Sequence, residues 1–161
     1  HGGVGYLKAG LWFADRLSTV SPTYAAEITA PEGGMGLDGL LRGRAAVLEG
    51  IVNGLDVAEW NPATDPHLPA PFDAQHLPAR AANRAALRAR MGLAEADAPV
   101  IGFVGRLSWQ KGVDLLLHAL PDGAQLALLG SGEPGLEHAA RSLAAANPGR
   151  VSVHLGYDEG L

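Results

Sequence analysis

Cysteine is missing from all 161 residues. Disulfides, thiolate zinc sites and cysteine nucleophiles are therefore excluded, and a reducing, cytoplasmic setting is the expectation. Positive charge is scarce: 12 Lys and Arg against 17 Asp and Glu leave a formal net charge of −5. With no basic run either, nucleic acid is not an expected partner. Apolar runs fall well short of the ~18 residues of a membrane span, so no membrane partner is expected. No signal peptide is visible, and the chain opens on His1 rather than Met, as a piece of a longer protein does. The six histidines, His1, His67, His76, His118, His138 and His154, lack helical metal spacing, and neither metal nor cofactor is expected. Ser21 lacks the flanking glycines of G-x-S-x-G, and GRLSWQKG lacks Walker spacing. Of the tryptophans, Trp12 and Trp60 are expected in core or hinge packing and Trp109 partly exposed.

What remains is ordinary globular material, 47% apolar and 18% charged. The length suits about one domain that hides ~70% of its unfolded surface. Helical spacing of Leu7, Leu11, Ala14 and Leu17 predicts a helix over 6–17, and 17–20 suits a short buried strand. Ser21-Pro22 reads as a helix start, with the helix running to about Thr29 before Pro31. Residues 31–43 are glycine-rich and irregular, with one helical turn at 37–41. Residues 46–52 read as a strand, and Asn53-Gly54 as a turn. Five prolines make 61–78 an extended connector. Residues 79–91 form an Ala/Arg-rich helix stopped by Gly92, with Arg84, Arg88 and Arg90 on a solvated face.

From residue 99 the pattern becomes regular. Strands at 100–104, 124–129 and 151–155 alternate with helices at 113–120 and 136–146. Short apolar runs of this kind suit strands buried on both faces. Two βα units and a third strand predict an α/β fold with a parallel sheet, its loops on one edge. Ligands of such sheets bind at that carboxyl edge. The first loop, 105–112, carries Arg106 and Lys111 before a helix amino end, where anions are favoured. It reads as a grip for phosphate or pyrophosphate, or as two solvated surface cations. The second loop, GSGEPG at 130–135, matches G-x-G-x-x-G, with Asp158 further along the chain. It reads as a pair of tight turns, a nucleotide contact or a nicotinamide site. Against the last, a βα unit precedes it, and Glu133 puts negative charge where a pyrophosphate would lie.

Six stretches occur in order across the chain: LKAGLWFADRLSTVSPTYAAEI, NGLD…WNPATDPHLP, NRAALRARMGL, GRLSWQKGVDLLLHALP, AQLALLGSG and GYDE. Together they resemble the bacterial glycogen synthase and plant starch synthase family. The resemblance implies part of a two-domain GT-B glycosyltransferase, with a partial parallel Rossmann-like sheet in the C-terminal half. It implies residues 1–52 as the end of the acceptor-side domain and 53–161 as the first half of the nucleotide-sugar domain. The implied reaction moves glucose from ADP-glucose to the non-reducing end of an α-1,4-glucan such as glycogen, with retention. Arg106 and Lys111 match the pair that holds the donor's phosphates. Asn53 matches an asparagine near the donor sugar, Gly130, Ser131 and Gly132 the nucleoside-side loop, and Tyr157 an aromatic near adenine. The family's K-T-G-G-L and E-P-C-G segments are absent, so this chain alone is expected to be inactive and its sheet edges unpaired. A transferase using UDP-glucose, an NAD-dependent oxidoreductase and a non-catalytic glucan-binding module are the alternatives.

Overall fold

The computed structural model describes residues 5–161. Contacts divide the chain into two compact units, His1–Val57 and Ala58–Leu161.

The first unit opens with α1 (Tyr6–Phe13), followed by β1 (Leu17–Thr19), α2 (Pro22–Glu27), α3 (Asp38–Gly43), a 3-10 turn (Ala45–Val47) and β2 (Leu48–Gly50). Helix α1 ends earlier than its apolar spacing predicts, because Leu17 is spent on β1, where it is buried and pairs in parallel with Leu48. Ser21 caps α2 as expected: its Oγ accepts the Tyr24 N–H at 3.0 Å, with Pro22 at the first turn. The strand expected over 46–52 shrinks to three residues, since its first part winds into the 3-10 turn. Arginines brace the glycine-rich stretch. Arg42 pairs with Asp38 at 2.8 Å and donates to the Thr29 carbonyl at 2.7 Å, while Arg44 donates to the Trp12 and Ala14 carbonyls. Trp12 is 59% exposed, so its expected core role is not met.

The second unit starts with the proline-rich connector, which is ordered rather than loose. Asn61, Asp65 and Asp73 fold their side chains onto backbone N–H groups two residues ahead. Trp60, at its start, is exposed rather than packed. A 3-10 turn (Leu77–Ala79) leads into α4 (Arg80–Met91), which Gly92 ends in the left-handed conformation (φ 66°). Asn83 of α4 and Ala70 exchange two hydrogen bonds, 2.9 and 2.7 Å, so the connector is tied to the helix.

Strands β3 (Val100–Val104), β4 (Gln125–Gly130) and β5 (Val151–Leu155) form a parallel sheet in the order β3-β4-β5. Helix α5 (Val113–His118) links β3 to β4, and α6 (Pro134–Ala146) links β4 to β5. Central β4 is buried at every position, as an apolar run flanked by two strands and covered by helices must be. Leu126 and Leu128 pack with Leu107, Val113, Leu136, Ala140 and Val151 in one core. Helix α5 stops two residues short of the expected end: Ala119 leaves helical geometry, and Pro121 disfavours helix in Leu120.

Arg88 corrects the expectation of a solvated face. Only 7% of it is exposed. Its Nε donates to Gln125 Oε1 at 2.7 Å and an Nη to the Ala98 carbonyl at 2.6 Å. Gln125 in turn donates to the Ala94 and Gly149 carbonyls at 2.7 and 3.0 Å. A charge this deep is tolerable because its Nε and one Nη are hydrogen-bonded. Among the described residues, no helix is long and apolar enough to cross a membrane.

Candidate functional site

Parallel strands bring the loops after β3, β4 and β5 to one edge of the sheet, and backbone bonds continue the ladder into those loops. Gly105 N–H donates to the Leu129 carbonyl at 3.0 Å, Leu107 N–H to Ser131 at 2.9 Å, Glu133 N–H to Leu107 at 2.8 Å, and Gly156 N–H to Gly130 at 3.0 Å. Leu107 and Gly132 form a parallel bridge beyond the strands.

This zipper accounts for two glycines of GSGEPG. A Cβ on Gly130 would lie 1.8 Å from the Gly105 carbonyl oxygen, and one on Gly132 would lie 2.1 Å from the Leu107 carbonyl oxygen. The glycines therefore let one backbone press against another. The remaining parts of the dinucleotide pattern are also engaged internally. Glu137 Oε1 accepts the Gly132 N–H at 2.9 Å. Asp158 pairs with Arg90 at 2.7 Å and accepts the Gly160 N–H at 3.0 Å. Burial would raise the Asp158 carboxyl, but Arg90 and the Gly160 N–H outweigh it and hold the group below the ordinary carboxylate value.

Leu107 is the residue that the reading of 105–112 as a polar loop missed. It is fully buried and anchors that loop in the core. A leucine amid polar neighbours was the available signal. Its neighbours Arg106 and Ser108 line a pocket of about 490 Å³ together with Gln110, Gly132, Glu133 and Pro134. Glu133 Oε1 accepts the Trp109 N–H at 3.3 Å, tying the two loops across this pocket. Arg106 is exposed and has no hydrogen bond or ion pair among the described residues.

Lys111 is exposed in the 3-10 turn Trp109–Lys111 of the same loop and does not line the pocket. The helix-terminus contribution expected there is limited. Helix α5 has six residues and an acid, Asp114, in its first turn. The N–H groups of Lys111 and Gly112 already bond to Ser108 and Trp109. Side chains thus carry most of the loop's capacity for an anion. Ser131 is exposed on the second loop, Gly130 is buried beneath it, and Tyr157 stands 82% exposed on the third. Asn53 belongs to the first unit, where it is exposed just after β2. A second cavity, about 510 Å³, shares no wall with the first; Phe72, Arg80, Arg84, Arg90 and Val100 are among its lining residues.

Known proteins resemble this chain along its whole length. A sequence profile described as starch synthase catalytic domain matches residues 1–43. A glycogen synthase of Rhodopseudomonas palustris (strain BisA53) is 58% identical over 166 residues, covering 100% of this chain and 34% of the relative. A glycogen synthase of Alkalilimnicola ehrlichii (strain ATCC BAA-1101 / DSM 17681 / MLHE-1) is 59% identical over 169 residues, covering 100% and 35%. Among solved structures, the catalytic domain of Starch Synthase IV from Arabidopsis thaliana, bound to ADP and acarbose, superposes with a TM-score of 0.86 at 39% identity. That match covers 96% of this chain and 33% of the other. The chain thus spans about a third of the length of the curated relatives it matches.

Proposed function

Because the chain belongs to the glycogen synthase and starch synthase family and forms part of its GT-B fold, we propose that it serves glucosyl transfer from ADP-glucose to an α-1,4-glucan with retention of configuration. In this reading residues 1–52 contribute to the acceptor side, and 53–161 begin the nucleotide-sugar domain. The neighbouring starch synthase is bound to ADP and to acarbose, which supports a nucleotide donor and a glucan acceptor as partners. A cytoplasmic location goes with the same reading.

The observation that carries the proposal is Arg106: a guanidinium without a partner among the described residues, in the wall of a pocket at the carboxyl edge of a parallel sheet. As the glycosidic bond of the donor breaks, negative charge grows on the leaving diphosphate. A fixed cation stabilises that charge more than it stabilises the intact donor, and so lowers the barrier. A guanidinium suits two-pronged contact with phosphate oxygens, and the Lys111 ammonium adds a mobile point charge from the same loop. Asn53 is assigned to the donor sugar, Gly130, Ser131 and Gly132 to the nucleoside side, and Tyr157 to the base, where an exposed ring is free to stack.

Calorimetric titration with ADP, ADP-glucose, UDP-glucose and NAD tests the reading. Binding of ADP and ADP-glucose that is lost in Arg106→Ala or Lys111→Ala is the expected outcome. NAD binding that survives both substitutions would return the site to a nicotinamide enzyme. Preference for UDP-glucose would change the donor and leave the phosphate grip intact.

A further inference from the structure

Ser108 precedes the 3-10 turn Trp109–Lys111 in an extended conformation (φ −143°, ψ 155°), where a serine ordinarily caps through its hydroxyl. Here the side chain caps nothing; the turn closes on the Ser108 carbonyl, which accepts the Lys111 N–H at 3.0 Å. The Oγ of Ser108 is buried and has no hydrogen-bond partner among the described residues. Buried hydroxyls are nearly always paired, so an unpaired one marks a place where a partner arrives from outside. Ser108 also belongs to the wall that holds Arg106. Alternation along an extended stretch puts Arg106 and Ser108 on one side and Leu107, fully buried, on the other. Among the described residues, an unpaired cation and a residue whose buried hydroxyl lacks a partner thus line one cavity. Glu133 is the only acid among the residues lining it. Like-charge repulsion therefore directs an anion to the Arg106–Ser108 side.

We infer that the Ser108 hydroxyl donates a hydrogen bond to a phosphate oxygen of the nucleoside diphosphate that Arg106 holds, making Ser108 a further binding residue of the site. This rests on the donor-site reading proposed above and extends it to a residue which that reading does not use. The bond is available only when the diphosphate is present, so it favours the loaded site over the empty one.

The test compares ADP with adenosine, which lacks the phosphates, by calorimetric titration of the wild-type chain, Ser108→Ala and Arg106→Ala. The ratio of ADP to adenosine affinity decides. Loss of one hydrogen bond to a charged group predicts a fall of about tenfold in that ratio for Ser108→Ala. The ligand-free variant is expected to melt at or above the wild-type temperature, since no unpaired hydroxyl remains. An unchanged ratio overturns the inference, whatever happens to the melting temperature, because the hydroxyl then serves the fold or a buried water. ADP binding lost in Arg106→Ala but intact in Ser108→Ala overturns this inference alone. No ADP binding by the wild type overturns it together with the donor reading.

Discussion

The loops after β3 and β4 occupy equivalent places, each joining a parallel strand to a helix, yet they contribute different things. The first contributes side chains: Arg106 and Ser108 line the pocket, Lys111 stands exposed beside them, and buried Leu107 holds the loop down. The second contributes backbone. Its glycines admit the carbonyls of Gly105 and Leu107 at distances no side chain tolerates, and its Gly132 N–H is taken by Glu137. A G-x-G-x-x-G pattern after a strand therefore does not by itself mean that glycine approaches a ligand. Here it approaches the neighbouring loop, and the loop so buttressed presents the cation.

The largest effect that sharpens this comparison is expected from Gly130→Ala. Its new Cβ meets a backbone oxygen, not a flexible side chain, so unfolding free energy should drop by about 3 kcal/mol or more. Chemical denaturation measures it, and a neutral result would break the division between the loops. Arg106→Ala should do the reverse. About 3 kcal/mol of transition-state stabilisation, read as kcat/KM for glucosyl transfer with the same substitution made in a full-length relative, is expected to disappear. Unfolding free energy should stay within about 0.5 kcal/mol, since the side chain is exposed and has no partner among the described residues.

A smaller effect tests the scaffold behind both loops. Gln125→Ala removes the acceptor of the buried Arg88 Nε, which should cost about 2 kcal/mol of stability without altering ADP affinity. The smallest comes from the third loop. The folded Asp158 carboxyl lies below its ordinary value of 3.8. Its pairing with Arg90 therefore adds stability that is complete above the unfolded pKa and lost as pH falls through the folded one. Asp158→Asn should lower the melting temperature slightly at pH 7, and the difference should close in acid below that value. A gap that widens in acid would reverse the sign of this coupling.

The alternation of strands and helices from residue 99 onward was legible in short apolar runs, but burial on both faces holds only for central β4; β3, at the sheet edge, leaves Val104 77% exposed. Ser21-Pro22 and Gly92 were legible because a cap and a left-handed stop are chosen by backbone geometry within a few residues. Element ends were less so. Leu17 fits a helical stripe and a strand equally well, and its pairing with Leu48 decides between them. Arg88 looked solvated because its acceptor lies 37 residues away, on β4.

By itself, then, the sequence determined the parallel α/β character, the capped helices and the loop that carries Arg106 and Lys111. All of these follow from apolar periodicity and local backbone preference. Only tertiary structure decided why Gly130 and Gly132 are glycines, why Arg88 is buried, and which hydroxyl is left without a partner. Those outcomes depend on which distant backbone atoms come within a few ångströms, and no spacing along one segment encodes that distance.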